Sequence, residues 1–280
     1  MRVLLTGAAG VLGQALRPLL AEEHEVTATD LALPDNRACF VRADLRDQEQ
    51  VQSAMAGHEA VVHVAALHPW KPYTDAEYCD SNLRGTWNVL SAAVEAGCRR
   101  VVFTSTIWAI GHDPDPPPYV PVDEQAPARP LELYGYTKYA GERMCEMFSR
   151  LHGLETVCLR VGTFVPARGP RQLWELLWGR IAIEDVAAVH LAAVNAPVHG
   201  PHVFFAQPSV PFQPADAAGL AERPAEVIER YFPGAKAAMQ RDGVTPPPIR
   251  WWWSSAKAKR LLGWEPRRSF GDVWRSGELE

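Results

Sequence analysis

Thr6-Gly7-Ala8-Ala9-Gly10-Val11-Leu12-Gly13 decides how the rest of the chain is read. It follows the short apolar run Val3–Thr6 and leads into the amphipathic stretch Val11–Glu22, so a strand passes into a helix through a glycine-rich turn. Glycine lets the backbone turn tightly and approach a ligand closely, and the helix N-terminus that follows favours an anion such as a pyrophosphate. The glycine pattern alone also describes an ordinary strand–helix turn. Asp30, at the end of the next apolar run Glu25–Thr29, separates the two readings. A carboxylate there can accept both ribose hydroxyls of an adenosine and repels a 2′-phosphate, which favours NAD over NADP. The nearest basic residue after it is Arg37.

Outward from this turn, short apolar runs alternate with amphipathic stretches. Further runs are Cys39–Val41, Ala60–Val64, Val101–Ser105 and Thr156–Arg160, and further helices are predicted at Gln48–Ala56, Asp75–Ala96 and Tyr134–Leu151. Nearly continuous apolar strands joined by helices predict an α/β fold, a doubly wound parallel sheet covered on both faces. One connection, from Gly111 to Leu131, is dense in proline and can be neither helix nor central strand. A loop of that length borders an active site in many compact domains. Beyond Val161 the alternation loosens, with helices expected at Arg171–Trp178, Ile183–Val194, Ala217–Tyr231 and Ser254–Leu262, the last capped by Ser254. The expected organisation is a nucleotide-binding domain over 1–165 and a small, partly helical substrate-side subdomain over 166–280, with segments able to return to the first.

Composition bounds the function. The 280 residues are 47% hydrophobic and 22% charged, an ordinary globular balance that excludes disorder and fibrous designs. The net charge of −5 comes without any block of like charges, which argues against nucleic acid as a partner. No apolar run reaches the length of a membrane span, and no leader precedes the first strand, so a cytoplasmic location is expected. The five cysteines lack any Cys-x-x-Cys spacing and read as reduced thiols; no ligand cluster suggests a metal.

Tyr134-Gly135-Tyr136-Thr137-Lys138 places Tyr134 and Lys138 one helical turn apart on the same face. A nearby ammonium favours phenolate and lowers a phenol's pKa, which would let Tyr134 take a proton from a substrate hydroxyl. A surface helix pair is the bland alternative for that spacing alone.

From these residues onward the sequence resembles the extended branch of the short-chain dehydrogenase/reductase superfamily, the NAD-dependent epimerases and dehydratases. The glycine spacing Gly-x-x-Gly-x-x-Gly is that of the superfamily, and further motifs come in order over about the first 165 residues: Asp44-Leu45, His63-Val64-Ala65-Ala66, Asn82-Leu83-Arg84-Gly85-Thr86, Phe103-Thr104-Ser105-Thr106 and the Tyr134/Lys138 pair. The resemblance implies that Gly7, Gly10, Val11, Leu12, Gly13, Asp30, Asp44, Leu45, Ala65, Ala66, Asn82 and Val161 contact NAD. It implies that Lys138 also holds the nicotinamide ribose beside Tyr134. It further implies a catalytic Ser/Thr, for which Thr106 is the better candidate and Ser105 its neighbour. Ile107-Trp108 stands where 4,6-dehydratases of the family carry an Asp-Glu pair, so water elimination is not expected. A relative that had become a redox sensor would commonly have lost the Tyr or the Lys, and this chain has both. Homodimerisation through the Asp75–Ala96 and Tyr134–Leu151 helices is implied by resemblance alone.

The expected substrate is a carbohydrate. His68, Thr106, Thr163, Arg168 and Arg171 are candidate contacts, the arginines because a guanidinium binds a carboxylate or phosphate bidentately. The leading reading is hydride transfer at a secondary alcohol of a sugar or nucleotide-sugar. Lys71-Pro72, Ile110-Gly111 and Arg160-Val161-Gly162-Thr163 also look similar to uronate dehydrogenases, which gives a second reading: net oxidation of a free sugar acid. A non-catalytic NAD-binding sensor is the alternative from another class. Trp251-Trp252-Trp253 fits either sugar stacking or core packing.

Overall fold

The computed structural model describes residues 1–32, 39–112, 115–164 and 169–278. Its strands are β1 (Arg2–Thr6), β2 (Glu25–Asp30), β3 (Phe40–Arg42), β4 (Ala60–His63), β5 (Arg100–Thr106), β6 (Glu155–Val161) and β7 (Pro201–Ala206). They form one parallel sheet in the order β3-β2-β1-β4-β5-β6-β7. The order reverses at β1, and that reversal opens a crevice at the carboxyl ends of β1 and β4. β1, β4, β5 and β6 are almost wholly buried, as expected of strands covered on both faces.

Helices α1 (Val11–Ala21), α2 (Gln48–Met55), α3 (Asp75–Tyr78), α4 (Gly85–Glu95) and α5 (Leu133–His152) cover the first half. The stretch expected as one helix from Asp75 is interrupted by a π-turn, Cys79–Arg84, between α3 and α4. α5 starts where the Glu132 carboxylate accepts the Tyr134 and Gly135 amides, and it ends at left-handed Gly153. Gly141 lets it lie directly on β5: a Cβ there would fall 2.5 Å from the Phe103 ring.

The second half supplies α6 (Arg171–Trp174), α7 (Ile183–Asn195), α8 (Ala217–Glu222), α9 (Pro224–Tyr231), α10 (Ala235–Arg241), α11 (Ala256–Leu262) and α12 (Phe270–Ser276). The single helix expected over Ala217–Tyr231 is two, because Pro224 removes a donor and starts α9. Ser255, not Ser254, is the N-cap of α11, and no side chain caps it, although Ser254 Oγ accepts the Ala256 amide. β7, α10 and α12 were not predicted; β7 opens with Pro201 and His202, which hide its apolar end.

β7 and α7 belong to the sheet although they come from beyond residue 166. α7 packs against α1 and β5, and its C-terminal carbonyls are gathered by the buried Arg100 guanidinium, which also pairs with Glu155. A separate apolar core, built around Trp174, Trp252 and Phe270, holds α8, α9, α10 and α12 together. The proline-dense connection is pinned by the tryptophan run. Val122 donates to the Trp252 carbonyl, Ser254 donates to the Val122 carbonyl, and Trp251 Nε1 donates to the Asp115 carbonyl. Past His112 its described residues line neither of the two cavities described below, contrary to the expectation that it borders the site.

Candidate functional site

A cleft of about 430 Å³ lies at the carboxyl ends of the central strands. Gly7, Gly10, Val11 and Leu12 form one end of it. Gly7 has φ +70°, and a Cβ there would lie 2.6 Å from the Ala65 amide nitrogen. A Cβ on Gly13 would meet the Gly7 carbonyl oxygen at 2.3 Å, so this glycine serves the packing of turn on helix and does not itself line the cleft. Gly10 caps α1 without any side-chain acceptor for the first-turn amides. Uncapped donors, a positive helix end and a backbone free of side chains make a cradle fitted to a pyrophosphate.

Asp30 stands beside that cradle, with Oδ2 accepting the Ala9 amide at 3.0 Å and Oδ1 accepting the Ala32 amide at 3.2 Å. These bonds fix a carboxylate at the position where an adenosine ribose would lie. Asp44 and Leu45 line the same end, and Arg46 forks onto Asp44 with Nη2–Oδ2 of 2.6 Å, which holds the carboxyl below its usual range. Ala65 and Ala66 continue the lining. Asn82 does not line the cleft. Within the π-turn its side chain accepts the Leu67 amide at 2.8 Å and donates to the Leu67 carbonyl and to Thr137, so it clamps the loop that carries His68 onto α5. Arg37 lies outside the described residues. The residues present fit NAD on the cradle and on the Asp30 carboxylate.

At the other end of the cleft stand Thr106, Tyr134, Lys138, Val161 and Thr163. Neighbouring residues of β5 face opposite ways. Thr106 stands in the cleft beside Tyr134, its Oγ1 accepting the Trp108 amide, whereas Ser105 Oγ donates to Glu142 at 2.6 Å. Glu142 is in turn forked by Arg160 in a buried pair behind α5, so the Ser105 hydroxyl is committed to it. Lys138 Nζ lies over the Phe103 ring and donates to the Thr104 carbonyl at 2.7 Å.

The electrostatics differ from what the Tyr–Lys spacing predicts. Burial pushes the Tyr134 phenol up, Glu132 adds to the shift, and the Thr106 hydroxyl opposes it. Burial also pushes Lys138 down to about 8. Its ammonium is turned to the Thr104 carbonyl, so burial outweighs any help it gives the phenol. His190 sits behind this group: its Nδ1 bonds the Val186 carbonyl, so Nε2 is the acceptor for the Thr104 hydroxyl at 2.8 Å.

His68 lies against Tyr134, ring centroids 4.6 Å apart, and against Trp70 at 4.3 Å. Burial and then Lys138 bring its pKa down to about 4, so it is neutral at pH 7. Arg171 is not brought to the cleft: it is largely exposed and pairs with Glu175 at 2.9 Å. Arg168 lies outside the described residues. Trp108 was missed as a site residue; it borders the cleft, stacks on His112 at 4.8 Å and stands edge-on to Tyr134 at 6.3 Å. Its place two residues after Thr106 was the available signal. Arg46, also missed, carries no motif, whereas Trp70 lines the cleft with His68 as the stretch Leu67–Pro72 suggests.

A second cavity of about 340 Å³ adjoins the first, sharing Ile107, Trp108 and Thr163 with it. The tryptophan run divides here. Trp251 packs against Ile107 and the proline-dense connection, Trp252 enters the C-terminal core, and Trp253 lines the second cavity. Among the described residues no group of His, Cys, Asp and Glu could hold a metal ion, and no helix is long and apolar enough to cross a membrane.

The chain is similar to the uronate dehydrogenase of Agrobacterium fabrum (strain C58), 33% identical over 203 residues, covering 71% of this chain and 74% of that one. It is also similar to an L-arabinose 1-dehydrogenase (NAD(P)(+)) of Haloferax volcanii, 33% identical over 181 residues, 61% of this chain and 70% of that one. Among solved structures, a mutant uronate dehydrogenase from Agrobacterium tumefaciens complexed with NAD superposes with a TM-score of 0.74 at 25% identity, over 100% of this chain and 89% of that one. The model of the family described as "NAD dependent epimerase/dehydratase family" matches residues 3–182. With its glycine cradle, its Asp30 and its Thr106, Tyr134 and Lys138 in one cleft, the chain belongs to that family and is an NAD-dependent oxidoreductase of the epimerase/dehydratase type.

Proposed function

We propose that this enzyme is a net dehydrogenase that oxidises a hydroxyl-bearing carbon of a free sugar or sugar acid and releases NADH. The observation that carries the reading is the meeting of Thr106, Tyr134 and Lys138 at the inner end of one cleft whose other end is the glycine cradle. A substrate hydroxyl placed between Thr106 and Tyr134 gives its proton to the Tyr134 oxygen while its carbon gives up a hydride. Acceptance of that hydride is the chemistry bound NAD supplies. Thr106 orients the hydroxyl, and Lys138, one turn along α5 from Tyr134, holds the nicotinamide ribose. His68 and Trp108 close the site on either side of Tyr134 and exclude water. In this reading residues 1–165 hold NAD, and the part from 166 to 280 supplies the far walls of the substrate space. The similarity to two sugar dehydrogenases supports release of NADH over its retention for epimerisation.

The test incubates the purified protein with NAD and a panel of aldoses, uronates and nucleotide-sugars, following NADH absorbance and product NMR together. Stoichiometric NADH with an oxidised sugar is expected. A new sugar isomer without NADH would replace the dehydrogenase by an epimerase.

We also propose a homodimer through α4 and α5. Trp87 on α4 is 45% exposed, and on α5 Tyr136, Met147 and Leu151 are 55%, 36% and 69% exposed at spacings that share one helix stripe. Sedimentation should give twice the chain mass, and Leu151→Asp should return it to one. The five free cysteines and the use of NAD support a cytoplasmic location.

A further inference from the structure

The second cavity lies one step beyond the reacting position. Its doorway is Trp108 and Thr163, which it shares with the cleft, whereas Trp178, Trp253 and Arg250 line it alone. Its floor is open because residue 179 is glycine. With φ +118°, that position disfavours any side chain, and a Cβ there would already lie 3.7 Å from the Trp253 ring and from Ile107. Trp253 also carries a buried indole N–H with no hydrogen-bond partner among the described residues.

One carboxylate stands among the guanidiniums of this wall. The Glu175 carboxylate takes Arg171 Nε at 2.9 Å, Arg180 Nε at 2.8 Å and Arg180 Nη2 at 2.7 Å. A carboxylate has about four acceptor positions, so about one remains beside the guanidinium edges. Donors and an acceptor side by side suit hydroxyl groups, each of which both gives and takes a hydrogen bond. Trp178 and Trp253 also line the cavity, and an indole face suits the apolar C–H face of a pyranose; the cavity falls within the range of small-ligand pockets.

We infer that this cavity is a subsite for a second sugar ring, so that the substrate is a disaccharide or glycoside with its reacting ring at Tyr134 and its neighbouring ring against Trp253. The inference rests on the reading of the enzyme as a sugar dehydrogenase. The ring at Tyr134 has walls of its own in His68, Trp70 and Trp108, which leaves the residues beyond the doorway for the next ring.

The test compares initial rates of NADH formation with reducing monosaccharides and with the α-1,4- and β-1,4-linked disaccharides made from them. For one linkage, kcat/KM should exceed that of the matching monosaccharide at least tenfold. That ratio should fall at least fivefold in Trp253→Ala and, as a check that does not depend on removing a large ring, in Arg250→Gln. Monosaccharides used as well as disaccharides, or a ratio that neither variant moves, would overturn the second-ring subsite and leave the dehydrogenase standing. If no sugar of either kind reduces NAD, the dehydrogenase reading fails and takes this inference with it.

Discussion

The two ends of the site are built in different ways. The cofactor end is made largely of backbone from one short stretch: a glycine turn, the start of α1 and the carboxylate of Asp30, fixed by its own neighbours' amides. The substrate end is made of side chains that meet from distant places, with Trp108 following β5, Thr163 following β6, Arg180 preceding α7 and Trp253 preceding α11. Backbone recognition tolerates little change because there is nothing to trim, only a Cβ to add. A pocket of aromatic and charged side chains can be re-cut one residue at a time. The first end therefore fixes which cofactor is used, and the second is where substrate choice is set.

The largest effect should come where the two ends meet. With Tyr134 as the proposed proton acceptor, Tyr134→Phe should lower turnover by about 10²–10⁴-fold. NAD affinity, measured by calorimetry, should stay within about twofold because the cradle is untouched. Near-normal turnover in that variant would remove Tyr134 from the chemistry.

Asp30→Ala tests the cofactor end. Loss of a charge-assisted bond to ribose should weaken NAD on the order of tenfold and NADP less, read from KM and from direct binding. Equal weakening of both would place ribose recognition elsewhere, with the Asp44–Arg46 pair as the next candidate.

Both ends should also be acid-sensitive, because each rests on a buried histidine. His63 beneath the glycine turn and His190 behind Lys138 are fully buried, and desolvation brings them down to about 3 and about 4. The unfolded chain takes up protons near pH 6.5, whereas the folded state does not until it reaches those values. Their stabilising contribution is thus complete above pH 6.5 and is lost as pH falls toward 4, with a slope approaching about 1.4 kcal/mol per pH unit for each. Thermal unfolding midpoints should fall steadily from pH 7 to pH 5, and because His68 is lowered in the same way, His190→Gln should remove about a third of that dependence. A flat profile would mean that none of these histidines resists protonation.

The smallest effect is expected at Arg171. An exposed ion pair contributes little, so Arg171→Ala should change kcat/KM by less than about twofold. A loss of tenfold or more would bring this guanidinium into the substrate site after all.

Much of the fold could be read from the chain because strand, turn and helix signals are local. Six of the strands sit within a residue or two of the apolar runs that predicted them, as do α1, α2 and α5. β7 escaped because its first half, Pro201-His202, breaks the apolar run, and only its place beside β6 makes it a strand. The helix expected at Ala217 was too long for a similarly local reason, since Arg223-Pro224 interrupts it.

At the site, sequence by itself determined the residue types that ordered motifs and fixed spacings carry: the glycine turn, Asp30, the Thr106 position and the Tyr134–Lys138 pair. These depend on neighbours within a turn or a strand, and the chain specifies them directly. Only the tertiary structure decided how their atoms are used. It set Ser105 on Glu142, Asn82 on the Leu67 backbone, Lys138 on the Thr104 carbonyl and Arg171 on Glu175. It also sent Trp252 into a core and its neighbours Trp251 and Trp253 to the wall of a cavity. Burial and partner choice depend on what the rest of the chain brings alongside, which no local pattern contains.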